Sequence, residues 1–397
     1  MAFLLTRRRF LGIGGAFCAS ALLPLSVHAA SRDPRFLFLF LRGGVDGLAT
    51  ILPVGDPHYI SSRKGLTISS NLDTTLTLDT LFCLNPNLSF IHELYQRKEA
   101  LMFHAIASPY RERSHFDGQD VLESGLPAVA PIESGWLNRA LAIINSTTRI
   151  ATQPGLAIGA NIPIVMRGIS PTVTWSPMGF VNNSKVLQDR IQSLYNSTDP
   201  SLAKMLAMAL SLQRHATQNI TTSNSMEISF PELANAAGHI LSKADGPRIA
   251  TLSLTGWDTH SNESPYKGQL GSRLKELDNA LSQLKKAMQS VWKDTVIVVA
   301  TEFGRTVAMN GTQGSDHGTA SVAFALGGAI KGGRVITDWP GLSTNKLYQN
   351  RDLYPTMDIR SLFKGILAEH FGLDNRRLSE VVFPESQSIK PITNIIL

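Results

Sequence analysis

Short apolar runs and amphipathic stretches alternate along this chain, and the two patterns predict different elements. A continuous apolar run bounded by turn residues is typical of a strand that is buried on both faces, as in a parallel sheet. Such runs, some of them weaker, predict strands at Arg35–Leu41, Ala100–Ala107, Gly155–Ile158, Ile164–Met166, Ile249–Leu254, Thr295–Ala300 and Ser321–Leu326. Apolar residues three and four apart predict helices at Asn87–Lys98, Leu270–Trp292 and Ser361–His370. The alternation indicates an α/β fold with a mostly parallel sheet.

Residues 181–245 differ in composition from the rest of the chain. They contain a polar loop at 217–225 and three helical patterns, at Val186–Tyr195, Ser201–His215 and Pro231–Leu241. We interpret this stretch as a helical insertion that packs over or beside the sheet. Further along, a short hairpin is predicted between turns at the glycine pairs 327–328 and 332–333.

The first thirty residues indicate an export signal rather than a part of the fold. Thr6–Leu11 fits the twin-arginine pattern, an apolar stretch runs from Phe10 to Val27, and Val27–Ala29 has the small-residue form of a cleavage site. The apolar stretch contains glycines and a proline and falls short of the ~20 residues that a membrane span needs. We therefore expect a cleaved signal peptide at residues 1–30, with an uncleaved anchor as the alternative.

Cleavage would set the location and the bulk properties of the mature domain, residues 31–397. The twin-arginine translocase would be its partner during export and the periplasm its destination, with no stable membrane span. The formal net charge falls from +6 to +3, because three arginines and no acids are lost. No block rich in lysine or arginine remains, which argues against nucleic acid as a partner. Removing Cys18 leaves Cys83 alone, so an intrachain disulfide is excluded.

Side chains with catalytic or metal-binding chemistry follow several of the predicted strands. The carboxyl ends of parallel strands share one edge of an open sheet, and ligands bind there. The candidates at these ends are Asp46, Ser114 with His115, Asp258 with His260, Glu302 with Arg305, and Asp316 with His317. Carboxylate and imidazole ligands together suit zinc, manganese or iron, whereas magnesium and calcium want more oxygens. The sequence therefore predicts a hydrolase-like cleft with one or two divalent cations, zinc or manganese.

Each candidate also has a plainer interpretation. Asp46 stands in a glycine-rich turn, where an aspartate often bonds only its own backbone. Ser114 precedes a predicted helix and is either an N-cap or a nucleophile that a neighbouring metal activates. Asp258 and His260 are either a capping aspartate with a surface histidine or, in an extended loop, two ligands on one side of the chain.

Five segments carry a resemblance to a known family. They are Leu41–Leu48, Ser114–Gln119, Gly256–His260, Thr301–Thr306 and Ser315–Gly318. Over nearly all of the mature chain, the sequence resembles a large bacterial family of exported proteins of unknown function. That family is placed in the alkaline phosphatase-like superfamily, together with sulfatases and cofactor-independent phosphoglycerate mutases. The resemblance implies a three-layer α/β/α fold with a mostly parallel central sheet.

The resemblance also implies roles for single residues. Asp46 resembles the superfamily's metal ligand after the first strand. Ser114 resembles the nucleophile, whose hydroxyl touches a second metal. The acid and the histidines that bind the first metal correspond to Asp258, His260 and His317.

One position departs from the superfamily's pattern. Glu302–Phe303 falls where the superfamily usually has an Asp-His pair, and phenylalanine cannot coordinate a metal. Either His115 or Asp316 completes the second metal position, or a single metal binds, or the usual hydrolysis is lost.

The leading expectation is a periplasmic, metal-dependent hydrolase of phosphate or sulfate esters, on small molecules or glycans. Ser114 would attack the ester, with His115 as a further catalytic group, and Arg113 or Arg305 would hold the anion. The alternatives are a non-catalytic binding or assembly protein of the cell envelope on the same fold, and a transferase of phosphate-bearing groups.

Overall fold

The computed structural model describes residues 32–64, 74–147, 154–176, 185–200 and 228–397, with a few positions between 202 and 211. The predicted signal peptide and most of the predicted helix Ser201–His215 lie outside these residues, so both stay predictions. None of the helices that are described combines the length and the apolar character needed to cross a membrane.

Six of the twelve described strands coincide with apolar runs of the sequence. The twelve strands are β1 Arg35–Leu41, β2 Ile51–Leu52, β3 Leu76–Thr77, β4 Cys83–Leu84, β5 Ala100–Ala107, β6 Gly155–Ile158, β7 Thr172–Trp175, β8 Ile249–Leu254, β9 Thr295–Thr301, β10 Ser321–Leu326, β11 Arg334–Ile336 and β12 Met357–Asp358. Nine of them form one sheet in the order β11-β5-β10-β9-β1-β8-β6-β7, with β12 paired to β5. The short strands β2, β4 and β3 form a separate small sheet.

The central strand β1 is parallel to both of its neighbours. It pairs with β8 on one side and with β9 on the other. Only β10, among the described strands of this sheet, runs in the opposite direction, between β5 and β9. All seven residues of β1 are buried, as its continuous apolar sequence predicts for a strand covered on both faces.

The described helices lie between these strands in the chain. They are α1 Gly47–Thr50, α2 Tyr59–Ser62, α3 Ser89–Gln96, α4 His115–Ser124, α5 Trp136–Thr147, α6 Lys185–Thr198, α7 Phe230–Leu241, α8 Gln269–Ala287, α9 Ile359–Phe371 and α10 Asn375–Arg377. The helices predicted at Asn87–Lys98, Leu270–Trp292 and Ser361–His370 correspond to α3, α8 and α9. Of the predicted insertion, α6 and α7 fall within the described residues.

The alternating side chains of β1 divide the hydrophobic core between the two faces of the sheet. One core, shared with α3, α7 and α8, takes Leu37, Leu39 and Leu41. The opposite core, shared with α5 and α9, takes Phe36, Phe38 and Phe40. Successive side chains of a strand point to opposite faces, so helices cover the sheet on both sides. The predicted three-layer α/β/α fold with a mostly parallel sheet is confirmed.

One weak strand prediction was wrong. Ile164–Met166 is a 3₁₀ turn, and the strand in this part of the chain is β7, which the sequence analysis missed. Pro163 opens the turn without an amide hydrogen to offer a sheet. The side-chain amide of Asn138 then donates to the Met166 carbonyl at 2.9 Å, so α5 rather than a neighbouring strand binds this segment.

The predicted hairpin was also wrong. Within the described residues 327–336, the chain does not fold back on β10, and β11 pairs in parallel with β5 instead. The amides of Gly332 and Gly333 donate to the carbonyls of Lys98 and Ala100 and so lead the chain along the outer edge of β5. The glycines mark turns, as predicted, but their partner is a strand distant in sequence.

Candidate functional site

The carboxyl ends of three strands bring the candidate residues to one edge of the sheet. Asp258 follows β8 and Glu302 follows β9, which lie on the two sides of β1. The antiparallel strand β10 separates β9 from β5, so β5 runs in the same direction as β9. The chain leaves β5 at this edge and begins α4 at His115.

Four side-chain atoms converge there, and we call them the donor cluster: Asp258 Oδ1 and the Nε2 atoms of His115, His260 and His317. The three nitrogens lie 3.4, 3.0 and 3.1 Å from Asp258 Oδ1, in that order. The Nε2 atoms of His260 and His317 are 2.9 Å apart. Three of these residues, His115, Asp258 and His317, already form a group with the spacing of metal ligands.

In His317 and His115, the contacts of Nδ1 determine that Nε2 is the nitrogen that faces the cluster. His317 Nδ1 lies 2.9 Å from the carbonyl oxygen of Arg113, which can only accept, so Nδ1 carries the hydrogen. His115 Nδ1 lies 2.8 Å from Glu302 Oε1. In the neutral form of each ring, Nε2 therefore presents a lone pair to the cluster. Burial lowers the pKa of His317, which favours that neutral form.

The imidazole ring of His260 is held by contacts on its solvent-exposed side. His260 Nδ1 contacts Asp316 Oδ1 at 3.2 Å, and Asn310 donates to the same oxygen at 3.1 Å. Asp316, expected as a metal ligand or as a compensating group, thus stands behind His260. Its carboxylate orients the ring, in the way that carboxylates commonly support metal-bound histidines.

The donor cluster fits a divalent cation. In their neutral forms, His115 and His317 direct lone pairs at a carboxylate oxygen that also only accepts, and a cation bound among these atoms would relieve that repulsion. His115 Nε2 is buried and makes no hydrogen bond among the described residues. Ligands in a tetrahedron around zinc lie roughly 3.3 Å apart, close to the separations of the three nitrogens from Asp258 Oδ1. Three imidazoles and one carboxylate suit zinc better than the oxygen-seeking manganese.

Arg305 does not take the role that the sequence analysis gave it. Its buried guanidinium donates to the carbonyl oxygens of Gly43, Gly44, Trp257 and Ser315. It also donates to Asp258 Oδ1 at 2.6 Å. Burial alone would raise the pKa of Asp258, but the hydrogen bond from Arg305 and its charge outweigh burial and hold the pKa at about 2. Arg305 therefore orients and ionises Asp258, and it is not free to hold a substrate anion.

Glu302 also differs from its expected role as a ligand. Its carboxylate is fully buried and accepts hydrogen bonds from the Gly43 amide, Gln119 and Thr301, besides the contact with His115. Burial would raise the pKa of Glu302, but the hydrogen bonds from His115 and Gln119 lower it. The ionised carboxylate holds His115 and has no oxygen directed to the cluster.

Phe303, which the sequence analysis singled out because phenylalanine cannot coordinate a metal, lines the cluster. Its ring centre lies 4.8 Å from that of His115 and 5.2 Å from that of His317. The ring is buried and packs on both imidazoles, so it supports two of the donors without supplying one. His115, expected as a catalytic group or a compensating ligand, is the third nitrogen donor.

Asp46 is not brought to the donor cluster. One oxygen accepts the backbone N–H groups of Leu48 and Ala49 at the start of α1, at 3.0 and 3.2 Å. The other forms an ion pair with Arg63, and both side chains are almost completely buried. Arg63 also donates to two backbone carbonyls, both at 3.0 Å. The turn interpretation of Asp46 describes its position better than the ligand interpretation does.

A second buried acid lies against Asp46. Glu263 has no exposed surface and accepts a hydrogen bond from the Ser315 hydroxyl at 2.6 Å. Burial and the neighbouring charge of Asp46 raise the pKa of Glu263 to about 9. Arg63 and Asp46 thus form their ion pair beside a second buried acid. No local pattern in the sequence indicates this cluster, because its members come from separate segments.

We expect the Glu263→Gln variant to be more stable than the wild-type protein at pH 8. The folded state keeps the Glu263 proton at this pH, whereas the unfolded chain releases it above about pH 4.3. The unfolded state thus binds fewer protons, and Glu263 lowers the free energy of unfolding as pH rises toward 9, by at most about 1.4 kcal/mol per pH unit. Glutamine avoids this loss and keeps a donor toward Asp46. Urea unfolding at pH 6 and pH 8 measures the difference; an equal loss of stability at both pH values would contradict the prediction.

Ser114 lies between two residues that contact the donor cluster. It precedes His115 at the start of α4 and follows Arg113, whose carbonyl binds His317. Its backbone amide donates to the Tyr110 hydroxyl at 3.1 Å, and its own hydroxyl does not cap the helix. Ser114 thus occupies the N-cap position, as one of the two interpretations predicts, but its hydroxyl makes no capping hydrogen bond.

A family described as "Protein of unknown function (DUF1501)" matches residues 33–382 of the chain. No curated protein matches at a significant level. Among solved structures, the chain is similar to a protein in the alkaline phosphatase superfamily from Vibrio parahaemolyticus, at 15% identity and a TM-score of 0.39. That likeness covers 77% of this chain and 63% of the other, so the chain spans less than two thirds of that protein.

Two further solved structures are similar at low identity. One is the phosphonate monoester hydrolase of Agrobacterium radiobacter, at 12% identity and a TM-score of 0.41, covering 86% of this chain and 74% of that one. The other is the C-terminal periplasmic domain of EcEptC from Escherichia coli in complex with zinc. It is 10% identical with a TM-score of 0.31, covering 75% of this chain and 74% of that one.

Proposed function

Because the chain belongs to the DUF1501 family of proteins of unknown function, its chemistry has to be inferred from the site, and we propose that it is a metal-dependent hydrolase of phosphate or sulfate esters. The substrate would be a small molecule or a glycan that carries such an ester. The twin-arginine pattern at Thr6–Leu11 supports the periplasm as the place of action.

One observation carries the proposal: the convergence of three imidazole Nε2 atoms on Asp258 Oδ1, with the opposite nitrogens held by acceptors. His115, His260, His317 and Asp258 would hold the cation. A divalent cation bound there would supply positive charge to the ester oxygens and to the attacking group. The Ser114 hydroxyl, placed between Arg113 and His115, would form a bond to the phosphorus or sulfur centre as the ester bond breaks, and its proton would pass to the departing oxygen. Water would then cleave the seryl ester, which releases phosphate or sulfate and restores the hydroxyl.

An exposed arginine beside His317 would favour an anionic substrate. Arg113 donates to Asp352 at 2.9 Å, and Arg351 donates to the His317 carbonyl at 2.8 Å. Both guanidinium groups contact the buried carboxylate of Asp352. Arg351 is about as exposed as a surface arginine, with 41% of its side chain accessible, and can reach a ligand.

We infer that the site takes one cation rather than two. Of the remaining acids proposed from the sequence, Asp46 and Glu302 are occupied by Arg63 and by His115, respectively, and Asp316 contacts the outer nitrogen of His260. The permanent charge of Arg305 against Asp258 would repel a second divalent ion at that side. Zinc titration monitored by calorimetry should therefore give one ion per chain.

The Ser114→Ala variant tests the catalytic part of the proposal. We expect kcat for aryl phosphate or aryl sulfate esters to fall by roughly 10³-fold or more, because the attacking oxygen is gone. The zinc affinity should stay close to that of the wild-type protein, since Ser114 is not among the four donors. Both are measured on zinc-loaded protein, by steady-state kinetics and by calorimetry.

The matched control is Ser124→Ala, at the opposite end of α4, where the hydroxyl donates only to the Val121 carbonyl within its own helix. It should leave kcat unchanged. Wild-type protein that binds zinc but hydrolyses neither class of ester, or a Ser114→Ala variant of full activity, would contradict a serine-based hydrolase.

A second candidate function is ligand binding without turnover in the cell envelope. The closed donor set favours it, because catalytic zinc sites usually keep only three protein ligands and one open position. The guanidinium of Arg305 also favours this candidate, because protein acceptors occupy it and it cannot hold a substrate anion. This candidate predicts stoichiometric zinc binding and no difference in ester turnover between wild type and Ser114→Ala.

A further inference from the structure

Arg113 adopts a backbone conformation that an arginine rarely takes. Its φ angle is +63°, in the left-handed region. For a residue with a Cβ atom this conformation is strained, so surrounding contacts have to hold it. Unlike glycine, arginine does not adopt a positive φ without strain.

The contacts that hold it come from one loop. Asp352, a fully buried residue, accepts from Arg113 Nε at 2.9 Å, and Gln349 accepts from Nη2 at 2.6 Å. The guanidinium carbon also lies 5.9 Å from the ring centre of Tyr348. Residues 348–352, which we call the latch loop, thus fix the arginine side chain at three points.

The latch loop also holds the ring that Arg113 faces. Arg351 donates from Nη2 to the His317 carbonyl at 2.8 Å. The loop itself is anchored to the strand-end segment, since Thr306 and Asp352 form a bridge and the Val307 amide donates to the Arg351 carbonyl. The latch loop therefore contacts both Arg113 and His317 and holds them next to each other.

The geometry points to Arg113 as a positioning residue whose function lies in its backbone. We propose that the latch loop locks Arg113 in the left-handed conformation, which aims its carbonyl at His317 Nδ1 and so fixes the nitrogen that His317 presents to the donor cluster. This inference rests on the metal site of the proposed function, but it concerns the tautomer of His317 and can be measured without metal.

Two substitutions of Arg113 separate the backbone from the side chain. Both Arg113→Gly and Arg113→Ala remove the guanidinium and its latch. Glycine adopts a positive φ without strain, so its carbonyl stays on His317, whereas alanine is expected to relax to a negative φ and turn the carbonyl away. We expect the dissociation constant for zinc to rise roughly 10–100-fold in Arg113→Ala, as for other losses of support to a metal-bound histidine. In Arg113→Gly it should stay within about threefold.

Long-range proton–nitrogen NMR of the zinc-free proteins gives the second measurement. The His317 signals, assigned with a His317→Gln variant, should show hydrogen on Nδ1 in the wild type and in Arg113→Gly. In Arg113→Ala they should show a mixture of both tautomers. A merely structural contribution of Arg113 would leave the tautomer unchanged in all three proteins.

Lys98 supplies the matched control. It is an exposed cationic residue with a φ of +61° before β5, so Lys98→Ala makes the same change, from a long cationic side chain to alanine at a positive φ, away from the cluster. This variant should change neither the zinc affinity nor the His317 tautomer. Equal zinc affinities in Arg113→Gly and Arg113→Ala, whether both reduced or both normal, would overturn the proposal. A wild-type protein that binds no zinc would instead overturn the proposed function, while the tautomer measurement would still decide the role of Arg113.

Discussion

The Asp258→Asn variant is expected to bind zinc more than about 100-fold more weakly than the wild-type protein and to lose nearly all ester turnover. Asp258 Oδ1 is the atom on which all three imidazole nitrogens converge, at 3.0 to 3.4 Å. Asparagine has nearly the same shape but no charge, so three neutral rings would have to hold the cation alone. The loss also exposes the cation to the buried positive charge of Arg305, which Asp258 neutralises at 2.6 Å in the wild type.

Zinc calorimetry and metal analysis of protein purified without added metal measure this effect. The matched control is Asp316→Asn, since Asp316 also contacts a histidine of the cluster but through Nδ1 of His260, on the exposed side. Its loss should weaken zinc binding by roughly 10-fold, the size expected for a supporting carboxylate. Equal effects of the two substitutions would mean that both carboxylates merely support His260. Undiminished zinc binding in Asp258→Asn would remove Asp258 from the metal site.

The sequence sufficed to locate the edge at which the site lies. The apolar runs of β1, β8 and β9 are buried on both faces, and a strand of that kind is recognisable from consecutive residues alone. The side chains that follow such strands must lie at a common edge when the strands are parallel. Strand ends alone thus group Asp258, His260 and His317, and in the folded protein their donor atoms lie within 3.1 Å of one another.

The sequence could not assign the roles of the charged residues at that edge. A role depends on which partner a side chain meets, and the partners come from distant segments. Arg305 was expected to face the substrate, but four carbonyl oxygens and Asp258 surround it. Glu302 was expected to bind metal, but His115 lies in front of it. Motif reasoning placed these residues at the edge but could not give their directions, because spacing along a loop does not determine where a side chain points.

Asp46 is another residue whose role could not be predicted from the sequence, because its partner was unknown. Its position after β1 made it a natural candidate for a ligand, yet its charge is neutralised by Arg63, seventeen positions later in the chain. No periodicity or motif links these two residues. The pairing follows only from the way in which α1 and α2 fold back on the strand end, and it gives the last prediction.

We expect the Arg63→Met variant to lose about 3–5 kcal/mol of unfolding free energy, the range for breaking a buried ion pair by removing one partner. Both side chains of the Arg63–Asp46 pair are almost inaccessible to solvent. Removing the cation leaves the Asp46 charge buried next to Glu263, with nothing to offset it. Urea unfolding followed by circular dichroism measures the loss. Zinc affinity of the folded variant should be unchanged, because neither residue belongs to the donor cluster.

The double variant Asp46→Asn with Arg63→Met separates charge from packing. Removing both charges should restore much of the stability, since the cost lies in the unpaired carboxylate rather than in the missing attraction. A surface pair offers the matched control: Glu93 and Arg97 form an ion pair with about half of each side chain exposed, and Arg97→Met should change stability by at most about 0.5 kcal/mol. If the double variant were no more stable than Arg63→Met, the destabilisation would come from lost packing, and Asp46 would have to be regarded as free to bind another cation.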